Sequence, residues 1–134
     1  MITVLTVGVF DLIHVGHIEL FRKAKALGDR LVVAVQDSEY VEKFKPGCPP
    51  VNGTEEREYI VKAIKYVDDV VVYTDVALIK DQVDFDIFVF GGDQKHPGFQ
   101  TIEKWCAEHG KKMVRLPRTE GVSSSDIKEY IRSL

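Results

Sequence analysis

The sequence predicts an α/β fold, a parallel five-stranded sheet with helices on both faces. Two observations carry this. Short, nearly continuous Val, Ile, Leu and Phe runs recur along the chain, as they do in strands buried on both faces. Between them lie stretches whose apolar residues return every three or four positions, as in amphipathic helices. A chain of 134 residues, 45% of them hydrophobic, can form one compact domain over residues 1–134 without disulfide or metal support.

The elements follow in order. Residues 2–7 read as the first strand. Residues 15–27 give the strongest helical pattern, with Ile18, Phe21, Ala24 and Leu27 in step, Leu20 beside them and Gly28 as a C-terminal stop. A second strand, 30–35, leads into a short helical stretch and then a loop, 44–53, rich in Pro and Gly, which is expected to connect elements within a domain rather than to link two domains. Residues 54–65 read as a helix with Tyr59, Ile60, Ala63 and Ile64 on its apolar face and Thr54 as N-cap. Strands at 69–73, 86–90 and, more weakly, 112–116 alternate with helices at 75–82, 100–109 and 124–134. Right-handed crossovers between such units build a Rossmann-like sheet, in which ligands bind beyond the carboxyl ends of the strands.

Composition narrows the function. A net charge of −3 and a pI near 5.8 argue against general binding to nucleic acid or anionic membranes, but leave room for a small anionic ligand. Cys48 and Cys106 form no C-x-x-C pair, and the absence of a signal-peptide pattern or an 18-residue apolar run predicts a cytoplasmic protein. The sequon Asn52-Gly53-Thr54 is then a coincidence.

Four segments after strands carry unusual chemistry. The first is Gly8-Val9-Phe10-Asp11-Leu12-Ile13-His14-Val15-Gly16-His17. Gly8 lets the backbone turn closely, and His14 and His17, three apart at a helix start, face one crevice with Gly16 between them. A helix N-terminus attracts phosphate, and two imidazoles there add donors. Partly buried structural histidines, or a zinc site that includes Asp11 but has no evident fourth ligand, are the other readings of these residues. In the last segment Arg118 offers a charged fork, Gly121 frees the backbone, and Ser123 to Ser125 open a helix with hydroxyls and unpaired N–H groups. Serine capping alone is the plainer reading there. Lys43 and Lys45 flank Phe44 before the Pro/Gly loop, which as a lid could bring them to a polyanion; otherwise they are solvated surface lysines. In Phe90-Gly91-Gly92-Asp93-Gln94-Lys95 the glycines permit close approach, and Asp93 could accept from a sugar or an amine, or the segment is a simple turn.

The His-x-Gly-His motif after Gly-x-Phe-Asp resembles the nucleotidyltransferase superfamily. Arg118-Thr119-Glu120-Gly121-Val122-Ser123-Ser124-Ser125 resembles the R-T-E-G-I-S-T-T signature of its cytidylyltransferases, particularly the glycerol-3-phosphate group. The resemblance spans about residues 3 to 133. It implies transfer of CMP from CTP to a phosphorylated small molecule, with His14, His17, Lys45 and Arg118 as catalytic groups. Val9, Phe10, Gly16, Asp93, Thr119, Val122, Ser123 and Ser124 would bind the nucleotide, and Lys43 and Arg57 the acceptor. Without the resemblance, Arg57 would read as half of a helix-surface ion pair. Mg2+ is expected to accompany CTP, with no dedicated protein ligands, and a homodimer paired through the first-motif segment is implied. Val9 stands where relatives often carry Thr or Cys, and Val15 where glycerol-3-phosphate enzymes commonly carry Trp. Pro50-Val51-Asn52 and Gly91-Gly92-Asp93 look more like adenylyltransferases acting on heptose phosphates. Adenylyl transfer to a sugar phosphate is therefore the nearest alternative, and a nucleotide-binding module without turnover is the alternative of another class.

Overall fold

The computed structural model describes residues 1–91, 97–117 and 123–134, and the side chains of all of these but Phe44 and Pro97. Its strands are β1 (Thr3–Gly8), β2 (Arg30–Gln36), β3 (Asp69–Tyr73), β4 (Ile87–Phe90) and β5 (Lys112–Arg115). The helices are α1 (Val15–Lys25), α2 (Ser38–Phe44), α3 (Thr54–Lys62), α4 (Ile79–Gln82), α5 (Pro97–Glu108) and α6 (Ser124–Ser133), with a 3-10 turn, Val76–Leu78, before α4. All strand pairs are parallel, in the order β3-β2-β1-β4-β5. This is the Rossmann-like α/β sheet that the alternating pattern predicts.

Strand alternation splits the core in two. Val4, Leu31, Val33, Val35, Ile87 and Val89 face Phe21 and Ala24 of α1 and Val61 of α3. Leu5, Val7, Val32, Ala34 and Phe88 face Ile79 of α4 and Ile102 and Cys106 of α5. Because β1 lies between β2 and β4, the chain reverses its winding there, which opens a crevice at the carboxyl ends of β1 and β4. The segment Gly8 to His17 leaves from that point.

Three local expectations change. The N-cap of α3 is Gly53, not Thr54, whose hydroxyl instead accepts from the Ser38 amide at 3.0 Å. The inward face of α3 is Arg57 and Val61, with Ile64 packed on the core just past its end, whereas Tyr59 is 78% exposed and Ala63, its C-cap, is exposed. The apolar pattern failed there because the residue taken inward at the head of the helix is an arginine. Gly28 is needed for space rather than for capping: a Cβ there would lie 2.8 Å from the Ile2 carbonyl oxygen, and the C-cap is Ala26.

Candidate active site

The turn after β1 is built around a strained backbone. Phe10 (φ 54°) and Leu12 (φ 49°) both adopt the left-handed region, which costs a non-glycine residue roughly 1–3 kcal/mol and persists only where neighbours enforce it. A Cβ on Gly8 would come within 2.8 Å of the Phe10 ring, so glycine lets that ring fold back beneath the strand end. Phe10 is thereby buried, packed edge-on against Phe21 (5.0 Å) and His17 (5.5 Å).

His14 is the N-cap of α1, and its Nδ1 accepts from the Gly16 amide at 3.0 Å. His17 completes a capping box, its Nδ1 accepting from the His14 amide at 3.3 Å. The two rings stack with centroids 3.9 Å apart. A ring nitrogen that accepts carries no hydrogen, so each neutral imidazole holds its proton on Nε2. The backbone thus sets both tautomers, and both Nε2 atoms are donors. Val9 contributes its carbonyl to the wall behind the turn, and Gly16 supplies the amide that fixes His14.

Two charged side chains hold this turn in place. Arg57, fully buried, donates Nη1 to the Val9 carbonyl (2.7 Å), Nε to the Asn52 carbonyl (3.0 Å) and Nη2 to Ser38 Oγ (2.8 Å). Burial pulls its pKa down, opposed by Asp11 and Asp37. It therefore stands behind the turn, not on the helix surface. Asp11, also buried, accepts from the amides of Val51 (2.7 Å) and Asn52 (3.0 Å) and from Lys128 Nζ (2.8 Å). Burial pushes its carboxyl pKa up, but the Lys128 ammonium and the two amides outweigh that and leave it below the ordinary value.

Ser124 donates its hydroxyl to the Asp11 carbonyl, and Ser123 caps α6 by accepting from the Asp126 amide at 3.0 Å. The start of α6 therefore lies beside the turn that begins α1, and two positive helix ends converge on one crevice. Lys43, in the last turn of α2, sits 5.1 Å from the Tyr40 ring centroid, and Lys45 is the exposed C-cap of α2. The loop after them returns to the site where Val51 and Asn52 meet Asp11. Asp93, Arg118, Thr119 and Val122 lie outside the described residues.

The structure thus gathers Val9, Phe10, His14, Gly16, His17, Ser123, Ser124 and Arg57 around one turn, while Lys43 and Lys45 stand at the C-terminal end of α2. Sequence reasoning missed Asp11 and Lys128 as a pair. A signal existed: Ser124 and Lys128 are four apart on a helix and so share a face.

Among the described residues no group of three or more His, Cys, Asp or Glu side chains could hold a metal ion, and no helix is long and apolar enough to cross a membrane.

The cytidylyltransferase-like family model matches residues 5–130. The chain is 38% identical over 135 residues to glycerol-3-phosphate cytidylyltransferase of Bacillus subtilis (strain 168), covering 98% of each protein. It is 41% identical over 122 residues to FAD synthase of Pyrococcus abyssi, covering 87% of this chain and 80% of that protein. A solved lipopolysaccharide core biosynthesis protein from Thermoplasma volcanium superposes with a TM-score of 0.75 at 30% identity, over 90% of this chain and 99% of that one. Sheet order, paired histidines and these likenesses agree, and the chain belongs to the cytidylyltransferase-like family of nucleotidyltransferases.

Proposed function

We propose that the protein transfers CMP from CTP to a phosphorylated small molecule such as glycerol 3-phosphate, releasing pyrophosphate. One observation carries this most directly: two stacked imidazoles, each with its donor on Nε2, at a helix start in the crevice beside β1. The likeness to a glycerol-3-phosphate cytidylyltransferase along 98% of both proteins supports the same chemistry.

In the proposed reaction an acceptor phosphate oxygen attacks the α-phosphorus in line. A new P–O bond forms, the bond to the bridging α–β oxygen breaks, and pyrophosphate leaves with the electron pair. The nucleophile is already anionic, so the protein's work is positioning and charge neutralisation. His14 and His17 donate to the α- and β-phosphates, Lys45 and Arg118 meet the growing charge, and Lys43 meets the acceptor phosphate. Val9, Phe10 and Gly16 shape the turn around the nucleotide, while Asp93, Thr119 and Val122 complete its site. Ser123 and Ser124 act by aligning the first turn of α6 toward the terminal phosphates, since both hydroxyls already serve the protein. Arg57, expected to bind the acceptor, is instead fully buried and acts from behind the turn by holding the Val9 and Asn52 carbonyls and Ser38. Mg2+ arrives as part of the CTP substrate. Asp11, the carboxylate of this turn, is taken by Lys128 and two amides. We place the protein in the cytoplasm, as a homodimer.

Adenylyl transfer is the second reading, favoured by the 41% identity to an FAD synthase. A panel of CTP and ATP against glycerol 3-phosphate, a heptose phosphate and a flavin phosphate, followed by pyrophosphate release, separates the two. The expected result is CTP over ATP by at least about tenfold in kcat/KM, or ~1.4 kcal/mol. Better turnover with ATP would move the protein to the second reading, and nucleotide binding without release would make it a module.

A further inference from the structure

We propose that Lys128 on α6 is a positioning residue that acts through Asp11, locking the turn after β1, the end of the 45–52 loop and the C-terminal helix into one arrangement. It deepens the nucleotidyl-transfer reading and rests on it for its kinetic consequences.

The geometry is that of a hub. Asp11 Oδ2 takes both the Val51 amide and Lys128 Nζ, Oδ1 takes the Asn52 amide, and the Asp11 carbonyl takes the Ser124 hydroxyl. Segments 40 or more residues apart in sequence therefore close on one residue. That residue sits between Phe10 and Leu12, the two non-glycine residues with positive φ among the described residues. A turn strained on both sides of one carboxylate relaxes unless the carboxylate is held. His14 and His17 leave from this turn, so its position sets theirs.

Lys128 is the cation that holds it. Asp11 is faced by Lys128 from α6 and, at longer range, by the Arg57 guanidinium from α3, which spends its hydrogen bonds on Val9, Asn52 and Ser38. Without Lys128 the carboxylate keeps only its two amides against the cost of burial, and its pKa rises. Ser124 and Lys128, one helical turn apart, grip the backbone and side chain of Asp11 together. Loss of the lysine leaves the Ser124 hydroxyl as the remaining hydrogen bond between α6 and Asp11 among the described residues.

The test uses the full chain with Lys128→Met, Lys128→Arg, Asp11→Asn and the double variant Asp11→Asn/Lys128→Met. Hydrogen exchange in the nucleotide-free protein should speed up at the Val51 and Asn52 amides of Lys128→Met by about tenfold or more, with Val33 and Val89 in the sheet unchanged. With the best substrates, kcat should fall about 10- to 100-fold while CTP affinity changes less than about threefold, as for misplacement rather than lost binding. Lys128→Arg should restore most of each property. In the Asp11→Asn background Lys128→Met should add no more than about a twofold loss.

A full further loss in that background would mean that Lys128 acts on substrate directly, and would overturn the proposal. So would unchanged exchange at Val51 and Asn52 in a Lys128→Met enzyme of normal activity, with nucleotidyl transfer left standing. Faster exchange in a protein that turns over no nucleotide would sink the transfer reading and keep the lock. If Lys128→Met does not fold, Lys128→Gln, which keeps a donor and drops the charge, carries the same expectations.

Discussion

At the scale of single residues, His14 has two separable tasks. Its Nδ1 caps α1 by accepting from Gly16, and in the proposed reaction its Nε2 carries the hydrogen offered to phosphate. Asparagine reproduces the first task, since it is among the best N-caps, but places no donor where Nε2 stands. His14→Asn should therefore keep folding stability within about 0.5 kcal/mol of wild type, whereas His14→Ala should lose ~1 kcal/mol. Both should lower kcat by about 10²-fold, the scale of one preorganised donor to developing charge. Urea melts beside pyrophosphate release measure the two tasks apart. An active His14→Asn enzyme would leave Nε2 without a catalytic task. The pH profile follows from the same atoms. A protonated Nδ1 cannot accept from a backbone amide, so kcat/KM should be level above about pH 7 and fall once acidification protonates either imidazole. A loss between about pH 7 and 8 assigned to either histidine would instead show that the imidazolium is the working form.

Among the elements, α3 shows how a helix can be legible in position and hidden in orientation. Tyr59 and Ile60 drew the apolar face outward of its true place, because pattern reading assigns arginine to solvent. Three acceptors, two of them loop carbonyls, reverse that assignment for Arg57, and no local spacing announces them. Strands were easier. Residues such as Leu31 to Val35 are buried on both sides of the sheet, so composition alone marks them. Glycine and histidine mark the turn after β1 as a candidate phosphate site, but its two positive φ values fall on Phe10 and Leu12, whose side chains give no sign of them. Arg57→Met tests the element-level reading. It strands the Val9 and Asn52 carbonyls, so it should destabilise the protein by roughly 3 kcal/mol in urea unfolding. A change below about 0.5 kcal/mol, the range of surface sites, would contradict its placement behind the turn.

Over the whole molecule, carboxylates with lowered pKa sit at both ends of the sheet. Asp11 lies beyond the carboxyl end of β1, and Asp68 accepts from the Leu31 amide and Lys25 at the opposite end. Both folded values lie below the unfolded one, Asp68 chiefly through Lys25. Their stabilisation is thus complete above the unfolded carboxylate value near ~3.9 and is lost as pH falls through the lower folded values. The share of the urea midpoint that these two carboxylates supply should stay constant from about pH 5 to 8 and drop below about pH 4. Lys128→Met should begin its drop at higher pH, since its Asp11 is no longer held down.

Assembly is the last property at this scale. Val15 opens α1 directly after His14, yet it is an apolar side chain 57% exposed. A second copy placed against the first-motif segment would cover it and bring two crevices close to one two-fold axis. The proposed dimer then has a definite signature. Light scattering at about 10 µM and above should give twice the 15.2 kDa chain mass. Val15→Glu buries a charge in that interface and should shift the mass to that of one chain, at a cost well above the thermal energy of a surface change. Because Val15 neither caps α1 nor donates to phosphate, the variant should stay folded in urea. Any loss of kcat in it would then report the partner's hold on the His14 turn rather than a lost contact. Wild type at single-chain mass over the whole concentration range would remove the dimer, and a dimeric Val15→Glu would move the interface elsewhere on the molecule.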